Sequence, residues 1–315
     1  MNKRGVEFSF GWLFALVVGA VIIFLAIYAA IKFIGSEKSV QETESAKQLE
    51  SILIPIETGT EEGKSTAPII FPAETRVYNE CNSEGNFGEQ SIRVSTLFGK
   101  KWQEQGLPVV SYNKYIFSPD LMQSKEMYVF SKQFKMPFKA ANILIMWSDK
   151  YCFENPSNEI EKEIEELKLN NVNITDDITT CDKKSRKVCF ASESPMCDVV
   201  VNTRANSATW KGKQPVYYEG SLIYGAIFSE PEIYECQIKR LMKRASELAL
   251  LYNSKSELIA SESGGCSSDL QGELKSLAAA EMQINNSADL RNINLLAEEL
   301  NEKQKAMTSC KIWGD

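Results

Sequence analysis

The pattern of apolar and polar positions divides the chain into four stretches. Phe8 to Ile34 is almost wholly apolar, with Lys32 its one charged residue. Within it, Phe8 to Ile31 runs 24 residues without a charge, enough to cross about 30 Å of hydrocarbon with some tilt. A cleaved secretory signal fits less well, because its apolar stretch is about 7–15 residues and a small-residue cleavage site follows it. The pattern predicts a transmembrane helix over 8–34 behind a short head at 1–7. Residues 35–66 then read as a stalk or linker. Ser39 to Ile54 suits a helix, which Pro55 and the run ETGTEEGKST break. GTEEGKS falls short of a phosphate-binding loop: Gly59 and Gly63 enclose three residues where that motif needs four, and Glu61 and Glu62 would repel phosphate.

Residues 67–230 alternate with the shorter period of strands. PIIF, TRVYNE, SIRVSTLF, NKYIF and EMYVF are short runs of β-branched and aromatic residues separated by Gly, Pro, Asn and Asp. Ala141 to Trp147 is nearly continuous apolar, as for a strand buried on both faces. EIEKEIEELKL predicts a short acidic helix with Ile160, Ile164 and Leu167 on its apolar side. With NVNIT beyond it, this makes a strand–helix–strand unit and predicts a mixed sheet with at least one crossover helix. KVCFA and CDVVVNT add further strands. PVYYEGSLIYGAIF suits either a bent strand pair or a strand feeding a short helix.

From 231 to 315 the period becomes helical. Pro231 suits a first turn. Tyr234, Ile238, Leu241, Ala245, Leu248 and Tyr252 recur at steps of three and four as a buried face. Lys239, Arg240, Lys243 and Arg244 fall opposite and are expected to form a solvated helix back, or else a contact for an acidic partner. Cys236 projects to the same basic side, so its disulfide partner is expected over that side, from a loop of the sheet region. Gly264-Gly265 ends the helix, and Ser268 with Gln271 has capping-box spacing. Leu270, Leu274, Leu277 and Ile284 make a second stripe; Leu290, Ile293, Leu296, Leu300 and Met307 make a third. The short connection predicts an antiparallel helical hairpin that brings Cys266 toward Cys310, with an overshoot of about 9 Å for the Gly-Gly segment to absorb.

Composition changes this picture in three ways. The chain has no histidine, which excludes Ser-His-Asp and Cys-His catalysis and histidine-bearing metal sites. No cofactor or metal site is expected. All eight cysteines (Cys81, Cys152, Cys181, Cys189, Cys197, Cys236, Cys266 and Cys310) lie beyond the apolar segment, and no CxxC occurs. An even set outside the span suits structural disulfides in an oxidising compartment. The charge is −7 overall, and the residues after 35 hold 32 basic against 41 acidic side chains. That acidity disfavours nucleic acid and anionic lipid heads as partners. Lys3 and Arg4 precede the span and set the head inside, leaving the bulk extracytoplasmic. Sequons at Asn173 and Asn285 are glycosylation candidates on that side. Gly11, Ala15 and Gly19, spaced by four, form a small-residue stripe suited to helix–helix packing in the membrane, through which a homo-oligomer or a protein partner could associate. The helical region offers a second such surface.

The head KRG, the nearby Glu7 and the long apolar helix resemble archaeal class III signal peptides of type IV pilin-like proteins. That resemblance implies cleavage after the basic head and filament packing; here a cut after Gly5 would put Glu7 at the second position of the mature chain, where the family places its glutamate fifth. GVEFSFGWLFALVVGAVI, IETGTEEGKS and IFSEPEIYECQIKRLMKR are similar to segments of archaeal single-pass membrane proteins, a resemblance that carries no activity. The sequence thus predicts an α+β protein with an N-terminal transmembrane helix, a mixed-sheet, disulfide-braced ectodomain and a C-terminal helical hairpin. Its expected role is structural or binding rather than enzymatic. Alternatives are a pilin-like subunit and a carboxylate-dependent enzyme using Asp149 and Glu154.

Overall fold

The computed structural model describes residues 11–12, 14–30, 32, 46–47, 49, 53, 68–169, 171–190, 194–262, 269–307 and 310–314. Two sheets face a shared core. The first holds β1 (Ile69–Asn82), β2 (Glu89–Phe98), β3 (Lys101–Trp102), β4 (Val109–Ser111), β5 (Ile116–Phe117), β6 (Leu121–Lys135) and β7 (Lys139–Trp147). Its order is β3-β2-β1-β6-β7-β5, with β4 also on β2. PIIF and TRVYNE fuse into one strand, β1, whose register shifts between Ile70 and Thr75, around Pro72, which has no amide to give the ladder.

β7 meets the expectation of burial on both faces. Ile143, Ile145 and Trp147 enter the central core, while Leu144 and Met146 point into a second cluster on the far side. The alternation follows from the two-residue period of a strand. Ala46, Leu49 and Leu53 join that second cluster together with Val77, Ile92, Val94 and Val129. Residues 46, 47, 49 and 53 are helical, so at these positions the expected stalk covers the sheet.

The second sheet holds β8 (Tyr151–Glu154), β9 (Val172–Thr175), β10 (Arg186–Phe190), β11 (Val199–Asn202), β12 (Ser207–Trp210) and β13 (Val216–Tyr217), ordered β13-β12-β11-β10-β8-β9. β9, β8, β10 and β11 run parallel, and β12 and β13 antiparallel. The crossover from β8 to β9 is α1 (Asn158–Leu167), which buries Ile160, Ile164 and Leu167 as its spacing predicts. Tyr151, Phe153, Val188, Phe190, Val199 and Val201 face the central core. The opposite face carries Cys152, Cys181, Cys189, Cys197 and Ile178.

The PVYYEGSLIYGAIF segment is a strand feeding a helix: β13 leads to α2 (Leu222–Phe228). Gly225 allows the close approach of α2 to β5, since a Cβ there would sit 2.6 Å from the Phe117 ring. α3 (Pro231–Glu262) buries Tyr234, Ile238, Leu241, Met242, Ala245 and Ala249. α4 (Gln271–Met282) packs on α3, and α5 (Leu290–Ala306) on α4. Three details of the helical region differ from expectation. The residue before α4 is Leu270, which makes no side-chain cap, and Ser268 lies outside the described residues. In α5 the buried stripe passes through Ala297 instead of Leu296. Steps of three or four from Ile293 permit either. Gln304, seven residues beyond Ala297, lies buried on the same stripe, where its side-chain oxygen accepts from Ile312 N at 3.0 Å and Trp313 N at 3.1 Å.

The third difference is the basic cluster of α3, which is not a solvated back. Arg240 is fully buried. It donates to the carbonyls of Lys114 at 2.8 Å, Tyr112 at 3.1 Å and Phe87 at 3.2 Å, and to Gln237 Oε1 at 2.8 Å. Lys243 donates to Ser83 O at 2.5 Å and Gly85 O at 2.7 Å. One turn before Arg240, Cys236 is bonded to Cys81, so its partner comes from the sheet region as expected, but from strand β1 and not from a loop. Gly88, with φ +59°, permits the packing: a Cβ there would meet Asn82 O at 2.3 Å and Arg240 Cγ at 2.9 Å. Arg244 alone of the four is exposed.

Residues 11–12, 14–30 and 32 are helical, and Trp12, Phe14, Ile22, Phe24 and Leu25 are among their exposed apolar side chains. Among the described residues, no helix is long and apolar enough to cross a membrane. The expected span also falls on residues 8–10, 13, 31, 33 and 34, outside the described set. The head 1–7 and residues 54–67 lie outside it as well.

Candidate functional site

A cleft of about 600 Å³ opens beyond the carboxyl ends of β8 and β11. Open parallel sheets place ligands at this edge, because the loops that follow the strands converge there. Four pieces of chain build its wall. Ser157, three residues after β8, starts α1: it holds an extended backbone, and its Oγ accepts from Ile160 N at 3.5 Å. The first turns of α1 then present Glu159 and Glu163. Thr203 and Asn206 come from the turn joining β11 to β12. Tyr218 and Tyr224 come from the β13–α2 segment, and Lys132 from β6 of the other sheet.

A chain of polar contacts ties these pieces together. Lys132 Nζ donates to Glu163 Oε1 at 2.5 Å, and the Tyr224 hydroxyl donates to Glu163 Oε2. Ser221 Oγ donates to Gln133 O at 2.9 Å. Asn206, at φ 48°, donates through Nδ2 to Glu219 Oε2 at 3.3 Å, and its carbonyl accepts from Tyr218 N at 2.9 Å. Tyr218 is only 5% exposed, yet its hydroxyl has no hydrogen-bond partner.

Burial pushes the Tyr218 phenol up to about 12, with the Glu219 charge adding to it. Burial, then the hydrogen bond to Glu163, raises the Tyr224 phenol. Burial likewise raises the Glu219 carboxyl. At neutral pH both phenols are therefore protonated hydrogen-bonding groups and not bases.

The carboxylates singled out in the sequence are not brought together. Asp149 lies in the bend before β8, and Glu154 is the last residue of β8. Asp149 Oδ2 accepts from Arg186 Nη2 at 2.9 Å. Glu154 is buried with ligand atoms of Cys189 and Cys197 within 4.8 Å of its own. Those two sulfurs are joined to each other, so they offer a metal no thiolate.

The cysteines pair as Cys81–Cys236, Cys152–Cys181 and Cys189–Cys197, and no cysteine is free among the described residues. Cys310 is also disulfide-bonded; Cys266, its expected partner, lies outside the described residues. Asn173 on β9 and Asn285 in the α4–α5 connection are both exposed. Gly11 and Ala15 are exposed and helical, and a Cβ added to Gly19 would meet nothing within 4 Å.

Two buried charged side chains depart from the sequence expectations, Arg240, expected on a solvated face, and Glu281, not singled out at all. Burial lowers the Arg240 guanidinium to about 10. Glu281 is fully buried on α4, neither carboxylate oxygen has a partner, and burial alone pushes its carboxyl up to about 9. Spacing points to this position, because Leu274, Leu277, Ala278 and Glu281 share one helical face. The chain matches no protein-family model, no curated protein and no solved structure.

Proposed function

We propose that the chain is a membrane-anchored, extracytoplasmic protein whose disulfide-braced α+β body serves a binding or assembly role at the cell surface. The observation that carries this reading is that every described cysteine is oxidised, a state that persists outside a reducing cytosol. The uncharged apolar stretch from Phe8 to Ile31 supplies the anchor, and Lys3 and Arg4 on its near side set the orientation. The acidic body selects against polynucleotides. A non-enzymatic role is favoured because Asp149 and Glu154 flank opposite ends of one strand and the cleft phenols stay protonated at neutral pH.

The test is the intact mass of the protein taken from its native membrane, with thiol alkylation before and after reduction. A full-length mass with all cysteines unreactive until reduction is expected. Free thiols before reduction would overturn the outward placement. Loss of residues 1–5 would replace this reading with the pilin-like one.

A further inference from the structure

We propose that Glu154 shields the Cys189–Cys197 bond from attack by thiols, so that the two disulfides of the second sheet open in a fixed order, Cys152–Cys181 first and Cys189–Cys197 last. The observation that carries this is a juxtaposition across the parallel pair β8 and β10. Cys189 stands beside Glu154 in the register, and Cys152 stands beside Lys187. Residues paired in this way lie on the same face of the sheet. One bond therefore has an acidic cross-strand neighbour and the other a basic one. The acidic neighbour is close. A carboxylate oxygen of Glu154 and the two sulfurs of Cys189 and Cys197 lie within 4.8 Å of one another, and all three residues are buried.

Charge matters because of how a disulfide is reduced. The thiolate of a small-molecule thiol attacks one sulfur and forms a mixed disulfide with it, and the other cysteine sulfur leaves as a thiolate. A second small thiolate then attacks the mixed disulfide and releases the remaining cysteine. Two protein thiols have formed, and two small thiols have been oxidised to their disulfide. Negative charge arrives with the attacking group and develops on the leaving one. A carboxylate within 4.8 Å opposes both, and burial weakens its screening by solvent. A lysine on the neighbouring rung favours both. The inference rests on the oxidised body of the proposed function and adds an order of opening to it. It is tested by relative rates on purified protein, whereas compartment is tested by thiol labelling in the native membrane, so either can fail without the other.

The experiment follows reduction of the oxidised full chain in detergent, at one neutral pH, by three thiols of different charge: cysteamine, 2-mercaptoethanol and 3-mercaptopropionate. Each bond is scored by pulsed alkylation and peptide mass spectrometry. In the unaltered chain, 2-mercaptoethanol is expected to open Cys152–Cys181 about tenfold faster than Cys189–Cys197. In Glu154→Gln, the ratio of the cysteamine rate to the mercaptopropionate rate at Cys189–Cys197 is expected to fall about tenfold, with no change of that ratio at Cys152–Cys181. The intrinsic reactivities of the thiols cancel in this comparison. A substitution that merely loosens the sheet speeds all three thiols together and leaves the ratio where it was, and that result would overturn the proposal. So would opening of Cys189–Cys197 before or together with Cys152–Cys181 in the unaltered chain, a measurement that needs no variant.

Discussion

The two sheets close their outer faces by different chemistry. In the first, Val77, Ile92, Val94, Leu144 and Met146 meet the helical residues Ala46, Leu49 and Leu53 in an aliphatic layer. In the second, the outer face is covered by Cys152–Cys181 and Cys189–Cys197 with Ile178 between them. An aliphatic layer holds wherever water is the solvent, because its stability comes from removing apolar area from water. A cover made of disulfides also acts by restricting the unfolded chain, and it holds only where thiols stay oxidised. The outer cover of the first sheet is thus indifferent to redox conditions and that of the second is not, while β1 of the first sheet is itself tied to α3 by Cys81–Cys236. This asymmetry connects the fold to its proposed compartment.

The largest way to break the comparison is to remove the bond that ties the first sheet to α3. Cys81 and Cys236 close a loop of 155 residues, so replacing both by serine is expected to cost about 5 kcal/mol in urea unfolding. A complication of nearly equal size must be separated from it. A carboxyl raised in the folded state contributes its full stability below the unfolded value and loses it as pH rises toward the folded one. Glu281, raised to about 9, therefore makes the chain lose about 4 kcal/mol between pH 5 and pH 8. Glu281→Gln is expected to flatten that slope in unfolding curves measured across this window. Reduction experiments run at alkaline pH should be done in this variant.

Next in size are variants specific to each cover. Cys152 and Cys181 close a loop of 29 residues, and the paired serine variant is expected to lose about 3.5 kcal/mol. Leu49→Ala, in the aliphatic cover, is expected to lose about 3 kcal/mol. That loss should be the same with and without reductant, whereas a redox-dependent loss would mean that the two covers are coupled. The smallest effect belongs to the cleft. Tyr218→Phe is expected to gain up to about 1 kcal/mol, because it removes an unpaired buried hydroxyl; a loss in thermal unfolding would show that the hydroxyl is already satisfied.

Local pattern made much of this fold legible. The unbroken apolar run of β7, the three isoleucine and leucine positions of α1 and the core face of α3 all follow from period, since burial there is set by neighbours in sequence. What escaped depends on distant backbone. Arg240 sits in a basic run that reads as a solvated face. Its partners are the carbonyls of Phe87, Tyr112 and Lys114, 126 to 153 residues away, and no spacing rule reaches that far. Ala46, Leu49 and Leu53 do carry helical spacing, but three positions in a polar stretch are too few to tell a sheet cover from a stalk. The cleft was least legible, because its walls come from four separated segments and its telling feature is a hydroxyl that lacks a partner.

The most direct test of the central claim is amide hydrogen exchange read by mass spectrometry, oxidised and after mild reduction, on the Glu281→Gln chain with Cys81 and Cys236 already replaced by serine, so that reduction acts on the second sheet's bonds and not on the tie from β1 to α3. The account predicts that peptides from β8 to β12 lose protection on reduction while those from β6 and β7 keep theirs. Equal loss across both sheets, or no loss in either, would contradict the idea that disulfides do for the second sheet what aliphatic packing does for the first.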